Sequence, residues 1–385
     1  MDFELNEDQM AFSEMAKTFA EKELLPFAAA WDREQHFPID VIKKAGEMGM
    51  CGLYTPQEGE GLGLSRLDSS IIFEQLAIGC TSTTAYLTIH NMVSWMLTTF
   101  GSQQTKEQWS AALSSGEKLG SYCLTEPNAG SDAASLITSA RKKADKYILN
   151  GAKVFISGAG ATDLLLVMAR TSDDGANGIS AFAVAANSPG ISCGRKEQKM
   201  GWNSQPTRTI TFEDVAVDAH HLLGAEGDGF KIAMQGLDGG RVNIATCSVG
   251  TAQAALNHAL RYLHERKQFG RELASFQGLQ FKVANMNTQL VAARQMVRLA
   301  ASKIDSQHPD KSTYCAMAKG FATDACYDVC DQALQIFGGY GYLKEYPLER
   351  YLRDSRVHRI LEGTNEIMNV IIARRILIEE ANLII

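Results

Sequence analysis

No CxxC pair occurs among the eight cysteines, Cys51, Cys80, Cys123, Cys193, Cys247, Cys315, Cys326 and Cys330. Cys326 and Cys330 share a helical face, but no histidine has the spacing to complete a zinc site with them. The thiols read as reduced groups packed like small apolar residues, which implies a reducing compartment. No block of like charge stands out in a chain of net charge −7, so nucleic acid is not an expected partner. Apolar runs are short: LLLVMA, Leu164 to Ala169, is far below bilayer-spanning length, so no membrane segment is expected. The opening MDFELNEDQM is acidic and lacks the plan of a signal or transit peptide. The expected location is a bacterial cytoplasm, or a mitochondrial matrix if this is a mature form. The Gly-rich segment from Thr55 to Ser65 lacks the Lys–Ser/Thr ending of a phosphate loop, and no GxGxxG follows a strand. These absences argue against a P-loop or a Rossmann domain.

What is present is ordinary globular composition, 45% apolar and 21% charged over 385 residues, enough for two to three domains. The first third reads as helix. Asn6 and Gln9 have capping-box spacing, Phe12, Met15, Ala16 and Phe19 recur helically, and Pro26 ends or bends that helix. Further helices are predicted over 39–48, 67–78, 84–100 and 106–114. From Leu119 the pattern shifts to short β-rich runs: 121–125, 147–151, 153–158, 164–170, 179–185 and 208–217. Turns at Asp173-Asp174-Gly175 and Ser188-Pro189-Gly190 separate some of them, which indicates an antiparallel sheet or barrel. Long helical patterns return over 232–237, 242–266, 276–304, 312–337 and 366–382, as in an antiparallel four-helix bundle. The expected class is α+β: an all-α domain over 1–118, a β domain over 119–227 and a helical bundle over 228–385.

The stretch Tyr351–Ile367 places Glu362 and Gly363 between two helical runs. A carboxylate on such a turn can project sideways, as a base reaching a substrate carbon must; it can equally be a helix-terminal acid beside a capping glycine. Thr125-Glu126-Pro127-Asn128-Ala129-Gly130-Ser131-Asp132 leaves a strand through a turn rich in N–H and hydroxyl groups. That suits a polar heterocycle or a phosphate, or is simply a turn with an Asp cap. Gln335-Ile336-Phe337-Gly338-Gly339-Tyr340-Gly341-Tyr342 ends a helix in glycines, either for close approach of a cofactor or chain or as a helix stop before core tyrosines. Arg266-Lys267-Gln268-Phe269-Gly270 puts a cation and a Phe at another helix end, where a surface salt bridge is the plainer reading.

These four segments, TEPNAGSD, RKQFG, QIFGGYGY and ILEGT, occur in an order and at distances that resemble the acyl-CoA dehydrogenase family over essentially the whole chain. GWNSQPTR, 201–208, and ILEGTNE, 360–366, resemble most the isobutyryl-CoA dehydrogenases of valine breakdown; many straight-chain relatives have an aromatic residue in place of Leu361. The resemblance implies FAD-dependent α,β-dehydrogenation of a short branched acyl-CoA, with electrons passed to an electron-transfer flavoprotein. Butyryl-CoA or 2-methylbutyryl-CoA are the alternative substrates, an oxidase is a further possibility, and a non-dehydrogenase flavoprotein on the same scaffold is the remote one. Glu362 matches the catalytic base, with a pKa raised to roughly 6–7 by a filled pocket. Its N–H, with a flavin ribityl hydroxyl, would hold the thioester carbonyl. Relatives that carry the base on another helix have it where this chain has Gly240. From residue size, Gly239 and Gly240 leave room for a branched acyl chain.

The same resemblance implies a flavin ring against Tyr122, Leu124 and Thr125 on one side and Phe155, Ile156 and Ser157 on the other; the family often has Trp in place of Phe155. Gly130 and Ser131 fall in the cofactor set, Ser131 also touching CoA. Arg266, Phe269, Gln277, Gln335, Ile336, Phe337, Gly338 and Gly339 match positions for the FAD pyrophosphate and adenine, and Thr364, Asn365 and Glu366 a flavin contact. Asp238, Gly239, Gly240, Arg241, Leu361 and Gly363 match substrate positions. Some of these groups come from a neighbouring subunit in the family, so a homo-oligomer, usually a tetramer, is implied.

Overall fold

The computed structural model describes residues 4–379. Six helices form the N-terminal unit: α1 Glu7–Phe19, α2 Ala28–Glu34, α3 Ile39–Glu47, α4 Arg66–Gly79, α5 Thr81–Phe100 and α6 Gln103–Ser114. The capping box at Asn6 is present: its side chain accepts the Gln9 N–H, and the Gln9 side chain accepts the Asn6 N–H. The predicted bend at Pro26 falls after a wide turn over Ala20–Leu24 that closes α1.

The middle unit is one sheet of eight strands: β1 Gly120–Cys123, β2 Ser139–Lys143, β3 Lys146–Ser157, β4 Leu164–Arg170, β5 Ile179–Ala185, β6 Ile191–Cys193, β7 Thr207–Asp218 and β8 Leu222–Leu223. Their order is β6-β7-β3-β2-β4-β5-β8, with β1 paired to β4. Most pairings are antiparallel, but β1 and β2 both lie parallel to β4. The continuous apolar run of β4 matches its burial on both faces. The two strands predicted over 147–151 and 153–158 are a single β3, interrupted by register shifts at Leu149/Gly151 and Lys153/Ile156. The second irregularity holds Phe155 at φ 59° and turns its ring outward, 71% exposed. A substitution at Gly151 would bring its Cβ within 2.5 Å of the Thr138 hydroxyl.

The C-terminal unit consists of α7 Gly229–Glu265, a hairpin of β9 Lys267–Gln268 and β10 Arg271–Glu272, then α8 Gln277–Asp305, α9 Lys311–Phe337, α10 Leu348–Arg356 and α11 Asn365–Leu377. Two helices were expected where α7 runs unbroken for 37 residues. Gly239 and Gly240 each weaken a helix by about 1 kcal/mol, but α7 is buried continuously from Asp238 through Ala252, and that packing carries it across the pair. The core between α7, α8 and α9 includes Val242, Val249, Leu290, Val297, Cys326 and Val329. The predicted end of the last helix, Asn382, lies outside the described residues. All eight cysteines are free, and seven are buried.

Candidate active site

Glu362 stands on the turn between α10 and α11, with φ 57° at Glu362 and φ 88° at Gly363. Two successive left-handed residues are costly for a glutamate, so the surroundings must hold this conformation. Arg241 of α7 donates from Nε to the Glu362 carbonyl at 3.3 Å, and Lys319 of α9 donates to the Gly363 carbonyl at 2.7 Å. Thr364 caps α11 by accepting the Ile367 N–H, and Asn365 is tied to Lys319, Thr323 and Asp324.

The result is an acid side chain turned back towards α7. A Cβ on Gly240 would fall 2.4 Å from Glu362 Oε2. That oxygen is buried and has no hydrogen-bond partner among the described residues, although the residue as a whole is only half-buried. Burial raises the carboxyl to about pKa 7, against the pull of Arg241 and Lys319 in the opposite direction. The Tyr122 hydroxyl of β1 is likewise buried without a partner; burial first and Glu362 second push its pKa well up. Two orphaned polar atoms that influence each other electrostatically mark a place where a ligand supplies the missing partners.

The structure brings the two halves of the expected ring site together. The Val154 N–H donates to the Thr125 carbonyl at 2.9 Å, which sets Leu124 and Thr125 beside Phe155, Ile156 and Ser157. The Ser157 carbonyl accepts the Ser121 hydroxyl. Beneath this edge lies an ion pair that the sequence reading missed. Lys153, fully buried, donates to Glu126 at 2.7 Å and to the Leu124 carbonyl at 2.9 Å. Glu126 also accepts the Ile137 and Thr138 N–H groups, so the turn Thr125–Asp132 is anchored by its own glutamate. Gly130 and Ser131 are exposed on that turn, and a Cβ on Gly130 would meet nothing within 4 Å.

Other expected positions fall differently. The bulk absent at Gly240 is replaced by the Glu362 carboxyl, and that absent at Gly239 by the Arg66 guanidinium, 2.6 Å from where a Cβ would lie. The room inferred for a branched acyl chain is therefore occupied by these two side chains. Arg66 also donates to the Gly239 carbonyl and to Asn243. Asp238 and Arg241 pair with each other at 2.7 Å, and Ser312 donates to Asp238. Leu361 packs in a small apolar cluster with Trp202, Ile244 and Cys247. Trp202 donates from its ring to His358 at 3.3 Å and from its backbone to Asp354 at 2.6 Å. The segments GWNSQPTR and ILEGT, far apart in sequence, thus meet beside Glu362.

A second cluster lies away from Glu362. Arg266, Ile336, Phe337, Gly338 and Gly339 line an open groove of about 370 Å³ with Tyr262 and Tyr340. The Arg266 guanidinium sits over the Tyr340 ring at 5.7 Å, and Tyr262 stacks on Phe337 at 4.1 Å. No Cβ clash would arise at Gly338 or Gly339. Phe269 is 93% exposed at the hairpin tip; Gln277 and Gln335 are exposed beside these helix ends. Gly240 and Arg266 are 26 positions apart on α7, roughly 39 Å at 1.5 Å per residue. The groove and Glu362 of one chain are thus at opposite ends of a long helical span.

Lys319, Arg66 and Lys153 are the site residues that sequence reasoning missed. A signal existed for Lys319: it occupies the helical face of Cys315, Ala322 and Cys326, where an apolar residue is expected.

Comparison with known proteins agrees with this layout. Three family profiles match in succession: acyl-CoA dehydrogenase N-terminal domain over residues 6–117, middle domain over 121–215 and C-terminal domain over 227–377. The mitochondrial isobutyryl-CoA dehydrogenase of Bos taurus is 52% identical over 375 residues, 97% of this chain and 90% of that protein. A structure described as the electron transferring flavoprotein of Acidaminococcus fermentans superposes with TM-score 0.95 at 42% identity, covering 98% of this chain and 100% of that one. The butyryl-CoA dehydrogenase of Megasphaera elsdenii superposes with TM-score 0.94 at 39% identity over 97% and 98% of the two chains. With all three domains matched in order and half its residues identical to a named relative, the chain belongs to the acyl-CoA dehydrogenase family.

Proposed function

We propose that this protein oxidises isobutyryl-CoA to methacrylyl-CoA, with Glu362 as the base that takes the α-proton. The observation that carries the reading is the buried, partnerless Glu362 carboxyl, held near neutrality beside Tyr122. An acid whose pKa lies near the working pH is both ionised enough to accept a proton and basic enough to do so. Specificity for the branched acyl group is supported by the likeness to an isobutyryl-CoA dehydrogenase, at 52% identity, over butyryl-CoA dehydrogenase, at 39%.

The residues fit FAD. The exposed ring of Phe155 and the hydroxyl residues Thr125 and Ser157, on segments joined by the Val154–Thr125 backbone bond, suit a flat heterocycle with polar edges. Bound there, FAD would supply the acceptor for the hydride that leaves the β carbon. The open diglycine and Arg266 suit the pyrophosphate and adenine of a second cofactor, one held mainly by a neighbouring subunit; a homotetramer follows from that reading. Within the chain, the Glu362 turn presents Oε2 to the α carbon and its N–H to the thioester carbonyl. Leu361, packed on Trp202, closes one wall against water. The electron acceptor is an electron-transfer flavoprotein. No helix among the described residues is long and apolar enough to cross a membrane. The likeness to mitochondrial isobutyryl-CoA dehydrogenases supports a mitochondrial matrix, or a bacterial cytoplasm, as the compartment.

Anaerobic titration of the purified yellow protein tests this reading. Isobutyryl-CoA should bleach the flavin band more completely than butyryl-CoA or 2-methylbutyryl-CoA. Stronger bleaching by butyryl-CoA assigns a straight-chain enzyme instead, and a colourless protein that takes up no FAD overturns the reading altogether.

A further inference from the structure

Lys319 is fully buried on the apolar face of α9. A cation in such a place is costly unless charge and hydrogen bonds compensate it. Yet among the described residues it is bonded to no carboxylate. Its ammonium donates to the Gly363 carbonyl at 2.7 Å and to Asn365 Oδ1 at 2.8 Å. Asn365 in turn donates to Thr323 at 2.9 Å and to Asp324 at 3.0 Å. On the other side of the turn, Arg241 donates to the Glu362 carbonyl. Two cations therefore grip consecutive carbonyls of the left-handed turn, and both leave the acid between them unbonded.

We propose that Lys319 positions the base: it holds the Glu362–Gly363 turn through the Gly363 carbonyl and the Asn365 side chain, and it supplies one of the two positive charges that face the carboxyl. This rests on Glu362 being the base. The charged and titratable groups that face Glu362 are Arg241 from α7, Lys319 from α9 and the Tyr122 phenol from β1. Lys319 itself faces Glu362, Arg241, Asp324 and Glu366, and adds to the burial that depresses His358 in the turn before Glu362. Burial lowers Lys319 to about 8, so at the midpoint of Glu362, about 7, most of its charge is still present. A direct ion pair would lock the carboxylate. A cation bonded to the neighbouring carbonyl instead favours the ionised form and leaves both oxygens free for the substrate's proton.

The test reads the Glu362 carboxyl itself. A difference infrared titration of the purified protein without substrate, wild type minus Glu362→Gln, isolates its band. Lys319→Met should move the midpoint upward by about one pH unit, and the acid limb of kcat by the same amount. Lys319→Gln keeps a donor for the Gly363 carbonyl but no charge; it should retain the turn and show the same upward midpoint, and it serves should Lys319→Met not fold. Lys319→Arg, which restores the charge, should bring the midpoint back towards wild type. Unchanged midpoints in both Lys319→Met and Lys319→Gln, with Glu362→Gln inactive, overturn the role of Lys319 and leave the base assignment standing. Near-normal turnover in Glu362→Gln overturns the base assignment and this inference with it.

Discussion

At the scale of single residues, Glu362 is a group the fold holds at a cost. Its folded pKa of about 7 exceeds the ordinary carboxylate value of 4.5, so the native state binds its proton more tightly than the unfolded chain does. The penalty is absent below about pH 4.5, grows through the window up to 7 and is complete above it, where it amounts to about 3 kcal/mol. Glu362→Gln should therefore raise the unfolding temperature at pH 8 and leave it nearly unchanged at pH 4, while turnover falls by several orders of magnitude. Calorimetry at the two pH values, beside a turnover assay, checks both halves. For the wild type, kcat should rise with pH through about 7, since the ionised base is the active form. Gly240→Ala provides an independent probe of position. Its Cβ would arrive 2.4 Å from Oε2, so the carboxyl must swing away. We expect kcat to drop at least tenfold with the acyl-CoA dissociation constant little changed, because the displaced group serves the chemical step.

At the scale of elements, the sheet edge that carries Leu124 and Thr125 depends on Lys153. Burial pushes the Glu126 carboxyl up, but Lys153 and the Ile137 and Thr138 N–H groups more than reverse this and hold it below its usual value. Removing one member of such a pair leaves the other charge buried and unmatched, typically at a cost of about 3–5 kcal/mol. Lys153→Met should lower stability to urea by that order. It should also loosen FAD, because the Leu124 carbonyl and the turn from Thr125 lose their common anchor. A stability loss below about 1 kcal/mol would show that the pair is not what fixes the edge. The helix α7 makes a related point. Its diglycine survives mid-helix because it meets Glu362 on one residue and Arg66 on the other; both contacts need the missing Cβ.

For the whole molecule, the long α7 separates Glu362 from the Arg266 groove by roughly 39 Å, and on the proposed reading each site then draws on two chains. Arg266→Ala should weaken FAD retention, seen as faster loss of bound FAD on dilution, with little change in kcat when FAD is saturating. Mixed oligomers offer a sharper measurement. Subunits carrying only Glu362→Gln, assembled with subunits carrying only Arg266→Ala, should contain sites with an intact base and an intact groove from different chains. They should recover part of the activity at limiting FAD; no recovery in verified mixed assemblies argues that each chain completes its own site.

Local sequence was enough to reveal the α, β, α order, the cap at Asn6 and the four motif segments, because periodicity, turn chemistry and short spacings are properties of neighbours along the chain. Asn6 with Gln9 and Glu362 with Gly363 are of that kind. Strand pairing was less legible: β1 and β2 run parallel to β4, and β3 absorbs two predicted strands into one, since register depends on partners far away in the chain. Three features became visible only in three dimensions: Lys319 under the Glu362–Gly363 turn, Arg66 beside Gly239, and the Glu362 carboxyl filling the space over Gly240. Each joins segments between 40 and 180 residues apart. Residue type alone determined that an acid was available at position 362; the packing of α7 and α9 around it decided that this acid is desolvated, unbonded and poised near neutrality, because burial and charge are set by whatever the folded chain brings alongside.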